Sequence, residues 1–163
     1  MEKYLYYSTS ESNVDSAFLL KDPSEELHVK VTKISPFRNT HSMVWKFSSL
    51  FGGGLFVEYQ LLKNGVVVCD SEVTNWMLSF PFMSRRGIYI GSCRTKLEER
   101  GRGYYPYLIA KIKETLPNRD YYMFVDEGNH ASIRGVEKAG FYRYATLRKT
   151  RLGLYLIKEK LSV

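Results

Sequence analysis

Along "ELHVKVTKI" (residues 26–34) apolar and polar positions alternate, which is the two-residue period of a strand buried on one face, and Ser35-Pro36 ends it. In "LFVEYQLLKNGVVVCDSEV" (55–73) two β-rich runs flank Asn64-Gly65, a dipeptide that accepts the positive φ angles of a two-residue turn and so predicts a hairpin. The "GGG" at 52–54 reads as a turn or bulge, because no helix follows it. "GIYIGSCRT" (87–95) is a further strand. The period then changes: Tyr105, Leu108, Ile109, Ile112 and Leu116 recur at helical spacing against Lys111, Lys113 and Glu114. That spacing predicts an amphipathic helix from about Tyr104, with Pro106 in its first turn and Pro117 as its stop.

"YYMFVD" (121–126) is apolar almost throughout and reads as an interior strand. Asn129 then caps a second helix that runs to about Ala139, with Ile133 and Val136 inward, Lys138 in the last turn and Gly140 just beyond its end. Gly135 inside this helix costs about 1 kcal/mol relative to alanine, so either the helix packs closely there or the helical pattern is weaker than its spacing suggests. "FYRYATLRKTRLGLYLIKEKL" (141–161) supplies two strands that turn near Lys149 to Gly153. Strands first, then strand, helix, strand, helix and a strand pair give an α+β fold with a mixed sheet.

Residues 1–163 are expected to form one domain: no linker, repeat or low-complexity tract divides them, and 44% of the residues are hydrophobic. No leader-like start and no apolar run of membrane-spanning length is visible, so the expectation is a cytoplasmic protein without membrane partners. Cys69 and Cys93 are expected to be reduced thiols, and His28, His41 and His130 are scattered without metal-ligand spacing, so no metal is expected. Charge changes the picture more. Residues 1–84 carry seven Lys/Arg against nine Asp/Glu, residues 85–102 six against two, and residues 134–163 eight against two. The positive field thus belongs to the second half, where an anionic ligand would be drawn.

The densest part of that field precedes the first helix, in "LEERGRGYYPYL" (97–108). A helix start leaves N–H groups without intrahelical partners and carries about half a positive charge. Glycine lets backbone approach an anion, and arginine adds forked donors. Strand, Gly101/Gly103 loop and helix therefore suit a pyrophosphate, although neither common nucleotide fingerprint, G-x-G-x-x-G or G-x-x-x-x-G-K-[ST], is present.

Arg100-Gly101-Arg102-Gly103, after Thr95 on a strand and before an amphipathic helix, resembles the R-G-x-G pyrophosphate loop of the GCN5-related N-acetyltransferase (GNAT) superfamily. "NHASIRGVEKAGF" (129–141) is similar to that superfamily's second hallmark, an Asn followed by a helix ending in E-K-x-G-F. The resemblance covers roughly residues 55–160. It implies a GNAT-like mixed sheet, mostly antiparallel, whose central strands 88–95 and 121–126 splay apart to admit acetyl-CoA. It implies that Ser92, Cys93 and Thr95 pair with the pantetheine arm, that Arg100, Gly101, Arg102, Gly103, Tyr104 and Tyr105 hold the pyrophosphate, and that Asn129 and Ser132 lie beside the arm.

The implied chemistry is direct attack of an amine on the thioester, without metal or covalent acyl-enzyme, which asks for orientation, a base and a proton donor for the thiolate. The base candidates are Glu72 first and Asp70 second. The superfamily's usual donor tyrosine would align with Val136, and its small loop residue with Tyr105, so Ser132, Tyr104, Tyr142 or water would serve as donor. Cys93 reads as a small buried hydrophobe, and His130 as an exposed first-turn residue. Arg85-Arg86 suit either an anionic acceptor or a solvated loop. Trp76, Phe80 and Phe82 suit core packing, a partner surface or an acceptor wall.

The leading expectation is an N-acetyltransferase acting on a primary amine of a small molecule, as a monomer or homodimer. The motif neighbourhood resembles bacterial members linked to surface-polysaccharide assembly, which implies an amino-sugar acceptor. The Val136 departure motivates an alternative, a non-catalytic acyl-CoA-binding module of the same fold. A nucleic-acid partner for the basic half is the third reading, and is not the one expected.

Overall fold

The computed structural model describes residues 2–9, 19–20, 26–35, 55–75, 80–151 and 154–161. The strands are β1 (Glu2–Thr9), β2 (Leu27–Lys33), β3 (Phe56–Lys63), β4 (Val66–Asn75), β5 (Gly87–Thr95), β6 (Asp120–Asp126), β7 (Tyr142–Lys149) and β8 (Tyr155–Lys160). Among the described residues the helices are α1 (Tyr104–Thr115) and α2 (His130–Lys138), and a short 3-10 turn spans Leu97–Glu99. Among the described residues one sheet of order β2-β3-β4-β5-β6-β1-β7-β8 contains these eight strands, and of their pairs only β5–β6 is parallel. This is the mixed α+β architecture that the order of elements predicts.

Most elements follow from local signals. Asn64 and Gly65 turn the β3–β4 hairpin with φ of 50° and 77°, values that the Asn-Gly dipeptide accepts most readily. Asn129 Oδ1 accepts the Ser132 N–H at 3.1 Å and caps α2, and Gly140 closes it with φ 79°. The glycines at 52–54, together with His41, Trp76 and Gly153, lie outside the described residues.

β1 is the element that sequence reasoning missed. It is an interior strand of the sheet, antiparallel to both β6 and β7, with Leu5 opposite Phe124 on one side and Ala145 on the other. Leu5 and Tyr6 are 0% and 1% exposed although they are consecutive, so both faces of the strand are covered and no alternation marks it.

The pleat divides the sheet's neighbours between two apolar clusters. Ile88 and Ile90 of β5 pack with Leu108, Ile109 and Ile112 of α1 and Val136 of α2 on the helical face. Tyr89, between them, joins Phe80, Phe82, Phe124 and Tyr155 on the opposite face, where no helix packs among the described residues. Truncating one of the fully buried aliphatic side chains of α1, such as Ile112, costs about 2–5 kcal/mol. Lys113 departs from the predicted polar side of α1: it is 3% exposed, donates to Ser8 Oγ at 2.8 Å and lies over the rings of Tyr121 and Phe141. Its four-carbon stem lets the position face the core while the ammonium finds a hydroxyl partner.

Candidate active site

The site begins where β5 and β6 part. Their parallel pairing consists of Gly87 with Asp120, Ile88 with Tyr121 and Tyr89 with Tyr122, and it stops there, although the strands continue to Thr95 and Asp126. Beyond Tyr89 the β5 edge has no strand partner among the described residues, so its N–H and C=O groups are left for another chain or a ligand. On the other edge, Glu72 pairs with Gly91 and Asp70 with Arg94, so β5 carries one residue more than β4 in this stretch. The surplus is a bulge at Ser92, an exposed residue with φ 50°, and it re-aims the backbone at the mouth of the fork.

A cavity of about 470 Å³ opens from this edge. Cys93, Arg94 and Thr95 of β5 form one wall, Glu99, Arg100, Gly101, Gly103, Tyr104, Tyr105 and Pro106 the second, and Asn129, Ala131, Ser132, Arg134, Gly135 and Lys138 the third. Arg100 Nε donates to the Thr95 carbonyl at 3.3 Å, which folds the loop back onto β5. Gly103, the N-cap of α1, has no side-chain capping bond to its helix, and Pro106 brings no N–H to the first turn.

The two loop glycines are required for different reasons. At Gly101 (φ 78°) the space beyond Cα is open, so only the backbone conformation asks for glycine. At Gly103 (φ 93°) a Cβ would fall 1.9 Å from the Leu19 carbonyl oxygen, so residues 19–20 close against the loop there. Arg102 is not among the residues that line the cavity and pairs with Glu99, which is, at 3.1 Å.

Tyr105 is the residue whose position the sequence left undefined. Its ring lies over Gly135, where a Cβ would be 2.4 Å from Tyr105 Cδ1, and its hydroxyl lies beside the Cys93 thiol. The bulky loop residue and the helix glycine are thus one packing solution, and Gly135 is needed for the ring. Burial holds the Tyr105 phenol well above its usual range, so it stays protonated. Burial likewise pushes the Cys93 thiol up to about 12, which makes it a poor nucleophile. Both cysteines are free thiols.

The remaining predicted residues fall in three places. Tyr104 lines the cavity but is 1% exposed, and Lys63 Nζ meets its hydroxyl at 3.1 Å. Tyr142 lies at the start of β7 with its ring against Tyr7 at 5.5 Å, outside the cavity walls. Glu72 and Asp70 sit on the sheet face opposite the helices, since Val73, Ser71 and Cys69 between and beside them turn the other way. There Glu72, 6% exposed, stands beside Gly91 and Glu58 across neighbouring strands. Asp70 is held by Arg94 at 2.8 Å. Val136 is fully buried core. His130, Arg85 and Arg86 are exposed, and Phe80 packs edge-on to Phe124 at 4.5 Å while Phe82 is half-buried beside it. The fork therefore has a cationic cavity on its helical side and a carboxylate beside aromatic rings on the other.

No family model and no curated protein matches the chain. Solved structures do. The chain is similar to a conserved protein of unknown function from Staphylococcus epidermidis (TM-score 0.56, 11% identity, covering 89% of this chain and 58% of that one). It is also similar to a GCN5-related N-acetyltransferase from Kribbella flavida (0.55, 11%, 90% and 56%) and a GCN5-related N-acetyltransferase-like protein from Streptococcus suis (0.53, 16%, 90% and 59%). The chain thus spans less than two thirds of the length of these structures. At such identities the likeness is one of fold, and the fold is that of the GCN5-related N-acetyltransferases.

Proposed function

We propose that this chain, built on the GCN5-related N-acetyltransferase fold, is an acyl-CoA-dependent N-acyltransferase that carries an acetyl group from acetyl-CoA to an amine of a small molecule. The observation that carries the reading is the fork: an unpaired β5 edge opening into a cavity whose second wall is the loop at the start of α1. An extended chain of amides ending in a pyrophosphate suits both parts, one as an added strand and the other as an anion at a helix start.

Acetyl-CoA supplies an activated thioester carbonyl. Arg100 and the backbone of 101–105 would hold its pyrophosphate, and Cys93 to Thr95 its arm, with Asn129 Nδ2 left as a donor because Oδ1 is committed to the helix cap. Glu72 would take the ammonium proton from the face opposite the cavity. Tyr105 Oη, on the cavity wall beside the Cys93 thiol, would supply the proton for the departing thiolate; it suits that role better than Tyr142, which lies outside the cavity. Ser132, on the third wall, brings a further hydroxyl to the site.

The test is amine-dependent release of CoA thiol across a panel of amino sugars, polyamines and amino acids, with Glu72→Gln and Tyr105→Phe alongside. Turnover with one class, lowered about a hundredfold or more in either variant, supports the reading. Tight acetyl-CoA binding with no turnover on any amine would favour a non-catalytic acyl-CoA-binding module, the reading that the buried Val136 motivates.

A further inference from the structure

Among the described residues the cavity is lined by four cationic side chains, Arg94, Arg100, Arg134 and Lys138, and by one carboxylate, Glu99. A negative charge in the wall of a pocket that draws anions repels the ligand, so Glu99 weakens the site that the other four build. The backbone turns it there. Glu98 and Glu99 both belong to the 3-10 turn Leu97–Glu99, whose three-residue period sends successive side chains in different directions. Glu98 is exposed and lies outside the cavity walls, whereas the Glu99 side chain is 18% exposed and lines the cavity.

Charge rather than hydrogen bonding holds Glu99 in place. Its Oε2 is buried and accepts no hydrogen bond among the described residues, although Arg102 Nε stands 3.1 Å away and Lys63 Nζ 4.0 Å away. Lys63 also meets the Tyr104 hydroxyl at 3.1 Å. Arg102 stands between Gly101 and Gly103, two residues of the cavity wall, yet its own side chain goes to Glu99 and does not line the cavity. An ion pair without hydrogen-bond geometry is open to exchange, because a phosphate offers a guanidinium two parallel charge-assisted bonds.

We infer that Glu99 is an internal counter-anion that holds Arg102 off the cavity wall in the empty site, so that the cofactor's pyrophosphate binds by exchange and takes Arg102 from Glu99. The inference rests on the acyl-CoA reading and adds to it the residue that sets the affinity. Glu99 is a positioning residue in this role, since it acts through Arg102. Exchange suits a transferase whose product carries the same phosphates as its substrate: the ion pair that re-forms as the pyrophosphate leaves helps release CoA.

Calorimetric binding of CoA to the wild type, Glu99→Gln, Glu98→Gln, Arg102→Gln and Glu99→Gln/Arg102→Gln tests this. Glutamine keeps the shape of Glu99 and removes its charge, and Glu98→Gln changes the net charge equally from the adjacent position. The expected result is a Kd for CoA lowered about tenfold by Glu99→Gln and less than about twofold by Glu98→Gln. In the Arg102→Gln background, Glu99→Gln should gain less than about threefold, because the guanidinium it would release is missing. Unchanged or weaker binding by Glu99→Gln would overturn the inference and leave the acyl-CoA reading standing. Equal gains at 98 and 99, or in both Arg102 backgrounds, would overturn it too, assigning the effect to net charge. If the wild type bound no CoA, the acyl-CoA reading and the exchange would fall together. All variants are expected to keep the wild-type Tm without ligand, since each replaces a loop side chain by one of similar shape.

Discussion

The ring of Tyr105, from α1, lies on the backbone of Gly135, from α2, so closely that a methyl group at 135 would stand 2.4 Å from Tyr105 Cδ1. Gly135→Ala therefore has two opposing effects. The better helix propensity contributes about 1 kcal/mol, and displacing the half-buried ring costs more than that. The expected outcome is a lower Tm for Gly135→Ala, and a gain from the same change in a Tyr105→Ala background. The double-mutant cycle in urea should give a coupling of about 1 kcal/mol or more; additivity would show that the two positions do not meet.

The loop glycines should respond unequally. Gly101→Ala meets open space and carries only the cost of a positive φ, about 1 kcal/mol. Gly103→Ala adds a Cβ that would overlap the Leu19 carbonyl, so it should cost clearly more and weaken CoA binding by shifting the start of α1. Urea midpoints for the two variants check the order, and equal losses would contradict it.

Much of this was legible in the sequence and some was not, for physical reasons. The β3–β4 hairpin, β5, α1 and α2 each carry their own punctuation: Asn64-Gly65, Pro106, Asn129 and Gly140 act through φ angles and caps that are local. β1 has no such mark. Its partners β6 and β7 lie more than a hundred residues away, and its two covered faces erase the alternation that reveals a strand. The cofactor loop was legible as a charge and glycine pattern. That Tyr105 would fill the space above Gly135 depends on two helices meeting, and neither segment alone contains it. Lys113 was read as polar surface because its type is almost always exposed.

Lys113 gives a pH prediction. Burial lowers its pKa from 10.5 to about 8, so the native state releases the proton before the unfolded chain does. Below pH 8 both states are charged and the full cost of burying the ammonium is present. Between pH 8 and 10.5 the unfolded chain binds more protons than the native one, and this group makes stability rise with pH. Wild type should gain on Lys113→Met across that window in urea unfolding, and a constant difference between the two would contradict the assignment.

Tyr105→Phe separates proton donation from packing. The ring stays on Gly135, so Tm and the Kd of acetyl-CoA should change little while kcat falls. A loss confined to KM would show that the hydroxyl serves binding instead.

The account's central claim is that the cavity between β5, the α1 loop and α2 takes acyl-CoA. Thermal unfolding with acetyl-CoA, with ATP as the control, tests it most directly. At about a hundred times Kd, linkage contributes about 2.7 kcal/mol. For a domain of this size that corresponds to a rise in Tm of about 5–11 °C, expected with acetyl-CoA and not with ATP. No shift at millimolar acetyl-CoA, or an equal shift with ATP, would contradict it.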